Sequence, residues 1–336
     1  MVSTRSTKRR SRSPPATVEV ERPTKSPKVV KKSAPVPKQS FEGVQLVLLD
    51  IEGTICPITF VKDTLFPYAL SALPKVLATS WTSPTFAPYR DAFPAEARAN
   101  PDAFSAHVAD LTARDVKAAY LKNLQGYLWE DGYKSHAYST PMYADVLDFL
   151  DRWPTSPSPP PPVPTPATFS AAADTNGANA SLEQPSPDTT TPTDQAQATE
   201  QTRQRQVAIY SSGSIFAQKL LFEHIRDPST STSSTTNTPN PTILDKRPLI
   251  TAWYDISNAG PKHSPASYSK IATDLKRQPQ EILFLSDNVQ EVRAALEAAM
   301  KSVVVEREGN APLSEHDREE LEVVDGFGTL SERLGI

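Results

Sequence analysis

Short apolar runs alternate along the chain with longer segments in which apolar residues recur at helical spacing. Runs without polar alternation are typical of strands that are buried on both faces of a parallel sheet. The predicted strands are residues 44–50, 207–210, 249–254, 282–286 and 303–305. The predicted helices that follow the later strands are residues 215–225, 264–275 and 289–300. A repeated order of strand, turn and helix predicts an α/β fold with helices on both faces of a parallel sheet.

A long helical stretch separates the first predicted strand from the second. Its helical segments are residues 62–80, about 100–128 and 142–152. The stretch is too long for a single crossover helix between neighbouring strands. We therefore predict a helical cap of residues 62–153, inserted into an α/β core that comprises residues 41–61 and 205–336.

Prolines are concentrated in three segments that lack a helix or strand pattern. The 336-residue chain holds 33 prolines, about twice the usual share of roughly 5%. We predict that residues 1–40 form a disordered basic tail and that residues 154–204 form a disordered insertion rich in Pro, Thr and Ala. Residues 227–242 are predicted to be a loop rich in Ser, Thr and Pro. The insertion is either a bare linker or a polyproline ligand for a partner domain.

Charge is distributed unevenly along the chain. Residues 1–40 carry 11 Lys and Arg against 2 Glu, whereas the formal net charge of the whole chain is -4. The body of the protein is therefore acidic and a poor nucleic-acid binder, which restricts any such contact to the tail. The tail is either a nuclear-localisation signal or a solvated segment without a dedicated partner. We expect a cytoplasmic monomer, with entry into the nucleus if the tail is a working signal.

Several protein classes are disfavoured by what the sequence contains. The apolar runs are far shorter than the roughly 20 residues that span a bilayer, and the basic N-terminus has no apolar secretory segment. Cys56 is the single cysteine, so an internal disulfide and a cysteine-based zinc site are excluded. The five histidines show no metal-binding spacing. These features argue against a membrane protein, a secreted disulfide scaffold and a zinc finger.

Acidic and polar residues follow the carboxyl ends of the predicted strands. They are Asp50 and Glu52 after the first strand, Ser211 and Ser212 after the second, Lys262 in the loop after the third, and Asp287 after the fourth. Ligands of open α/β sheets bind beyond the carboxyl ends of the strands, so these side chains are expected to converge there. Together they could handle a phosphoryl group with a divalent cation.

The three acids have separate chemical uses. The Asp50 carboxylate could attack phosphorus and form an aspartyl-phosphate. A turn after Asp50 could place Glu52 over the same site, where it would protonate a leaving group and then activate water. Mg²⁺ prefers a few carboxylate oxygens together with water and phosphate, which Asp50 and Asp287 could provide. Glu291, one helical turn after Asp287, is either a metal-site neighbour or an exposed helix residue, and we favour the latter.

The remaining candidates suit phosphate binding. Ser211, Ser212 and the backbone N–H groups that follow them could bind phosphate oxygens at the start of a helix. Lys262 would add a positive charge, and we prefer it to Lys270, which falls in the middle of a predicted helix. Each of these residues could instead have a purely structural role, as a helix cap or as part of a turn. Their common position at strand ends, in chain order, favours the functional reading.

Five segments of the chain resemble, in order, the motifs of a known enzyme family. They are LLDIEGTICPITFVKDTLFPYAL (residues 48–70), YSSGSIFAQKLLF (210–222), AGPKHSPASYSKIA (259–272), ILFLSDNVQEVRAA (282–295) and EREGNAPL (306–313). The family is that of the enolase-phosphatases of methionine salvage, in the haloacid dehalogenase superfamily. LQGYLWEDGY (124–133) is similar to its cap segment. The resemblance covers most of residues 43–152 and 205–335.

The resemblance implies a Rossmann-like parallel sheet with an inserted helical cap, and a role for each strand-end residue. It implies Asp50 as nucleophile and magnesium ligand, Glu52 and Asp287 as further magnesium ligands, Ser211 and Ser212 as phosphate-binding residues, and Lys262 as a substrate-binding residue. The implied cofactor is one Mg²⁺ per subunit. The implied substrate is 2,3-dioxo-5-methylthiopentyl phosphate, which is enolised and then dephosphorylated to an acireductone. Ile55-Cys56, where a second Thr is usual, departs from the pattern without removing a ligand.

Three alternatives remain to be weighed against this reading. The chain could be another magnesium-dependent phosphatase of the superfamily, or a dehalogenase, which would not need Glu52. It could also be a non-enzymatic nuclear or scaffold protein that acts through its basic tail and proline-rich insertion.

In the cap, Trp129, Tyr133 and His136 could line a pocket for the methylthio end of the substrate, although core packing is the simpler role for Trp129.

Overall fold

The computed structural model describes Met1 and residues 39–154, 205–230 and 242–336. Most of the predicted basic tail, nearly all of the predicted insertion and most of the 227–242 loop lie outside the described residues. All described residues other than Met1 belong to one compact unit. No helix in these described ranges is long and apolar enough to cross a membrane.

Eight strands form two sheets in the described part of the chain. The strands are β1 (Leu46–Leu49), β2 (Gln206–Tyr210), β3 (Ile225–Arg226), β4 (Ile243–Leu244), β5 (Ile250–Tyr254), β6 (Ile282–Ser286), β7 (Lys301–Val305) and β8 (Val323–Val324). Six of them form a sheet in the order β5-β2-β1-β6-β7-β8, and every pair in it is parallel. β3 and β4 form a separate antiparallel pair. The predicted parallel α/β sheet is therefore confirmed.

Ten α-helices lie in the described ranges of the chain. They are α1 (Phe66–Ser80), α2 (Ala87–Asp91), α3 (Pro101–Ala113), α4 (Ala119–Lys134), α5 (Ala144–Arg152), α6 (Ile215–Glu223), α7 (Pro265–Asp274), α8 (Val289–Glu297), α9 (Glu315–Glu320) and α10 (Phe327–Leu334). A π-helical turn, Val61–Leu65, leads into α1. The predicted helix at about 100–128 is two helices, because the chain turns between them at Asp115, which has a φ of 53°. The structure also contains β8, α9 and α10, which the apolar pattern did not predict.

Side-chain alternation along the strands divides the core into two layers. Val47 and Leu49 of β1 pack on one face of the sheet, in the cluster that also contains cap residues and helix α5. Leu46 and Leu48 pack on the other face with Tyr268 of α7. All four β1 residues are completely buried, which explains why this strand reads as a continuous apolar run.

The helices between β1 and β2 pack in two places. α1 packs against α3 and α4, and the Trp129 indole of α4 donates a hydrogen bond to the Leu65 carbonyl at 2.8 Å. α5 instead packs against α10, where the rings of Phe149 and Phe327 lie 5.1 Å apart. The α5 helix thus lies beside the sheet rather than among the other inserted helices. The predicted boundaries between cap and core stay a prediction.

Candidate active site

Asp50 lies at the carboxyl end of the central strand β1. Its backbone N–H donates to the Leu285 carbonyl at 2.9 Å, so the residue is held in line with β6. Its side chain accepts three hydrogen bonds. The Ile51 N–H donates to Oδ1 at 2.8 Å, Lys262 Nζ lies 2.5 Å from the same oxygen, and Ser286 Oγ lies 3.0 Å from Oδ2. The carboxylate is therefore fixed in one orientation in a buried position, with 6% of the residue exposed.

Lys262 is the cation of this cluster. Its Nζ lies 2.5 Å from Asp50 Oδ1 and 2.7 Å from Glu291 Oε2, and its backbone carbonyl accepts a hydrogen bond from the Tyr268 hydroxyl at 2.7 Å. Burial alone would lower the pKa of Lys262, but the two carboxylates raise it above its usual range. Lys270 lies on the surface, where it pairs with Asp274. The structure thus brings Lys262, and not Lys270, to Asp50.

The favoured interpretation of Glu291 as an exposed helix residue is wrong. Because α8 begins directly after the end of β6, Glu291 lies in its first turn and reaches back over the strand end. Its Oε2 lies 2.7 Å from Lys262 Nζ and 2.8 Å from Ser286 Oγ. Burial raises the pKa of Glu291, and the charge of Asp50 raises it further. Glu291 therefore shares the ammonium group of Lys262 with Asp50.

Asp287 stands beside this ion cluster, at the end of β6. Its N–H donates to Thr54 Oγ1 at 3.0 Å, and its carboxylate lies so close to Gly53 that a Cβ there would be 2.5 Å from Oδ2. Burial, followed by the charge of Asp50, raises the pKa of Asp287 to about 7. The charge of Lys262 lowers the pKa of Asp287, and the charge of Glu291 raises it.

This arrangement fits a hard divalent cation. Mg²⁺ is commonly held by one or two carboxylates together with water and substrate phosphate, and Asp50 and Asp287 supply that number. Among the residues that the structure describes, no three His, Cys, Asp or Glu side chains are grouped as a metal site. Glu52 is thus not assembled with Asp50 and Asp287 as a third side-chain ligand. Its predicted role in metal binding stays a prediction.

Glu52 lies in the turn that follows Asp50 and lines an adjoining cavity. The turn is closed by a hydrogen bond from the Gly53 N–H to the Cys56 carbonyl at 2.9 Å, and Gly53 has a φ of 73°, which favours glycine. Burial and the charge of Asp50 raise the pKa of Glu52, while nearby lysines lower it. A carboxyl group with a raised pKa is suited to proton transfer near neutral pH.

Ser211 and Ser212 form the loop between β2 and α6. The Gly213 N–H donates to Ser211 Oγ at 3.3 Å, and Ser214 caps the helix by accepting from the Ala217 N–H, also at 3.3 Å. The loop therefore places hydroxyl groups at the N-terminus of a helix, where anions are stabilised. Ser211 and Ser212 line the same cavity as Glu52.

The cavity extends from these loops into the inserted helices. It contains about 700 Å³ of space that protein atoms do not occupy, part of it open to solvent. Its apolar lining includes Val61, Leu65, Leu111, Val116, Leu121 and Trp129. The predicted pocket role therefore fits Trp129, which is buried and also lines the cavity. Tyr133 does not line the cavity, and its hydroxyl group is hydrogen-bonded to the Thr140 hydroxyl at 2.9 Å. His136 does not line the cavity either and is exposed.

Polar residues of α3, α4 and the connection between them, which the sequence analysis missed, also line the cavity. They are Thr112, Asp115, Lys117, Lys122 and Gln125. Lys122 Nζ lies 2.5 Å from the Ser212 carbonyl, so helix α4 touches the loop after β2. Burial, and then the charge of Lys117, lowers the pKa of Lys122. Neither lysine follows a predicted strand, so their local sequence gives no signal that they face the site.

Comparison with known proteins identifies the family, although no protein-family model matches the chain. The enolase-phosphatase E1 of Chaetomium globosum is 46% identical over 287 residues, which are 85% of this chain and 97% of that protein. The enolase-phosphatase E1 of Neurospora crassa is 42% identical, over 86% of this chain and 98% of that protein.

A solved structure shares the fold of this chain. The crystal structure of the UTR4 protein of Saccharomyces cerevisiae aligns with a TM-score of 0.62 and 31% sequence identity. The alignment covers 85% of this chain and 99% of that one. The predicted family, the α/β fold with a parallel sheet and the enzyme class are confirmed. The chain therefore belongs to the enolase-phosphatase E1 family and is a phosphoric monoester hydrolase.

Proposed function

We propose that this enzyme converts 2,3-dioxo-5-methylthiopentyl phosphate to the acireductone of methionine salvage, by enolisation followed by phosphate hydrolysis. The observation that carries the proposal is the cavity, which joins two chemically different ends. Glu52, which follows Asp50 by two residues, and the Ser211–Ser212 loop line a polar end, and the inserted helices supply an apolar end. The substrate has the same division, with a phosphate and two carbonyl groups at one end and a methylthioethyl chain at the other.

Enolisation would use Glu52 as the base. Glu52 would remove a proton from C1, the carbon that bears the phosphate ester. The electron pair of that C–H bond would form the C1=C2 double bond, and the C2 carbonyl oxygen would become an enolate that is then protonated. The raised pKa of Glu52 suits this step, since a base is most effective when its pKa lies near the working pH.

Phosphate transfer would use Asp50 as the nucleophile. An Asp50 oxygen would form a bond to phosphorus while the bond from phosphorus to the substrate oxygen breaks. Glu52, which holds the proton taken from C1, could give that proton to the leaving oxygen. Water activated by Glu52 would then cleave the aspartyl-phosphate and regenerate Asp50. The Ile51 N–H, Lys262 and Ser286 hold the Asp50 carboxylate in place for this attack.

Phosphate binding and the cofactor complete the polar end. The hydroxyl groups of Ser211 and Ser212 would bind the phosphate oxygens at the start of α6, with Lys262 as a nearby positive charge. Asp50 and Asp287 would hold one Mg²⁺, which would neutralise negative charge on the phosphate.

The apolar end would bind the methylthio chain. Leu65, Leu111, Val116 and Leu121 would surround the two methylene groups, and Trp129 could contact the sulfur atom, which is favourable for thioethers near aromatic rings. This end would distinguish the diketone from small phosphate esters, because burying each CH₂ group contributes about 0.8 kcal/mol.

The test is phosphate release from the purified full-length protein with and without Mg²⁺. The two substrates are the dioxo-methylthiopentyl phosphate and a generic aryl phosphate, and ultraviolet absorbance reports the enediol product. We expect Mg²⁺-dependent release that is fastest on the diketone and accompanied by the enediol absorbance. Release from the aryl ester alone would favour another magnesium-dependent phosphatase of the superfamily.

The proposal also includes a monomeric state, which gel filtration would test. It further includes a cytoplasmic or nuclear location, which microscopy of the tagged protein would test.

A further inference from the structure

Lys122 is a residue of the inserted helices that reaches the loop proposed to bind phosphate. It lies in the first turn of α4, and its Nζ is 2.5 Å from the Ser212 carbonyl oxygen. Its side chain is partly buried in the cavity that Glu52 also lines. A cationic hydrogen-bond donor therefore stands beside both the proposed phosphate loop and the proposed base.

Enolisation needs such a donor. When the C1 proton leaves, negative charge develops on the C2 carbonyl oxygen, and a fixed donor at that position stabilises the transition state. C2 is the carbon next to the one that carries the phosphate ester. The C2 oxygen must consequently lie within a few bond lengths of the Ser211–Ser212 loop once the phosphate is bound there.

The other cations near the cavity are engaged elsewhere. Lys262 is held between Asp50 and Glu291, at 2.5 and 2.7 Å. Lys117 lies 2.5 Å from Asp115, and more than half of its side chain is exposed. The Lys122 ammonium has three N–H bonds, and the structure uses one of them on Ser212.

We propose that Lys122 is the electrophilic catalytic residue of enolisation, donating a hydrogen bond to the C2 carbonyl oxygen of the substrate. The inference rests on the proposed function. In this step the C1 proton passes to Glu52, the C–H electron pair forms the C1=C2 bond, and the π electrons of the carbonyl move onto the oxygen that Lys122 holds. The enolate oxygen then takes a proton from the ammonium or from water, so that enolisation is a balanced isomerisation. Hydrolysis of an aryl phosphate has no such step.

The test separates enolisation from hydrolysis with a phosphonate analogue of the diketone, in which CH₂ replaces the ester oxygen. The analogue cannot be hydrolysed, so exchange of its C1 protons for deuterium in D₂O, followed by NMR, measures proton abstraction alone. Aryl phosphate hydrolysis is measured in parallel. Lys122→Met is expected to slow the exchange by about 10²-fold, the usual effect of losing one such donor, while aryl phosphate hydrolysis changes less than about threefold. Lys122→Arg should recover part of the exchange.

Lys134→Met is the matched control, since Lys134 is an exposed residue of the same helix that pairs with Glu130. It should change neither rate. The inference is overturned if Lys122→Met leaves the exchange unchanged or lowers both reactions equally, because the lysine would then serve substrate binding or helix placement. If the Met variant loses the wild-type circular dichroism spectrum, the exchange and hydrolysis rates are measured on Lys122→Gln instead. This variant keeps a hydrogen-bond donor without the charge, and the same criteria apply to it. Absence of exchange in the wild type would instead overturn the proposed function itself.

Discussion

Replacing Lys262 by Met tests whether the buried ion cluster is arranged as described. The side chains of Lys262, Asp50 and Glu291 are only 7%, 8% and 14% exposed, so the charges in this cluster are largely removed from water. Removing one partner of a buried ion pair typically costs about 3–5 kcal/mol, because the remaining charge is left unpaired. Met retains most of the length of the lysine stem, so packing contributes little. The expected loss is a large part of the roughly 5–15 kcal/mol that stabilises a typical domain.

The loss should depend on pH, and its sign follows from the carboxyl groups left behind. Burial raises the pKa of Asp287 and Glu291, and Lys262 is a charge that lowers both. Without it these values rise further, so the folded state binds protons that the unfolded state has released. A carboxyl group with a raised pKa destabilises the fold as the pH rises from its unfolded value, about 4, through its folded value. The loss should therefore be largest at pH 8 and smaller at pH 5.

The measurement is urea unfolding followed by circular dichroism at pH 5 and pH 8 without divalent cations, with the free energy taken from the midpoint and slope. Lys270→Met is the control, because Lys270 is an exposed lysine of α7 that pairs with Asp274, and it should change stability by no more than about 0.5 kcal/mol. A loss below about 1 kcal/mol for Lys262→Met at pH 8 would refute the buried cluster. An equal loss at both pH values would refute the assignment of the cost to unpaired carboxylates.

Further predictions concern the nucleophile, the turn, the cation and the insertion. Asp50→Asn should lower phosphate release far more than tenfold, and a smaller loss, under about 1.4 kcal/mol of barrier, would contradict a nucleophilic role. Gly53→Ala should weaken Mg²⁺ binding measured by calorimetry, since the added Cβ would lie 2.5 Å from Asp287 Oδ2 at a φ of 73°. Because the pKa of Asp287 is raised to about 7, wild-type Mg²⁺ affinity should fall as the pH drops from 8 to 6. Deleting residues 155–204 should leave the unfolding midpoint and activity nearly unchanged, since the Trp153 indole already bonds to the first residue of β2 at 2.9 Å.

The positions of the strands and of the residues that follow them could be predicted because both depend on local sequence. A continuous apolar run such as that of β1 marks a strand buried on both faces, and in a parallel sheet all strand ends with the same direction meet at one edge. Asp50, Ser211 and Asp287 could thus be assigned to one edge without knowledge of the strand order. β8 escaped this reasoning because two residues, Val323 and Val324, are too few to show a period.

Glu291 and Lys122 show where local reasoning stops. Both are charged residues in the first turn of a helix, and nothing in their own segments distinguishes them from solvated surface charges. Glu291 faces the site because α8 begins immediately after β6. Its partner Lys262 comes from a distant segment, the loop between β5 and α7. Lys122 faces it because α4 packs against α6, which the chain reaches only after the long insertion. Such contacts depend on how elements distant in the sequence pack together. Local sequence therefore predicts the role of a residue only where the preceding backbone also fixes its position in the fold, as it does at the end of a strand.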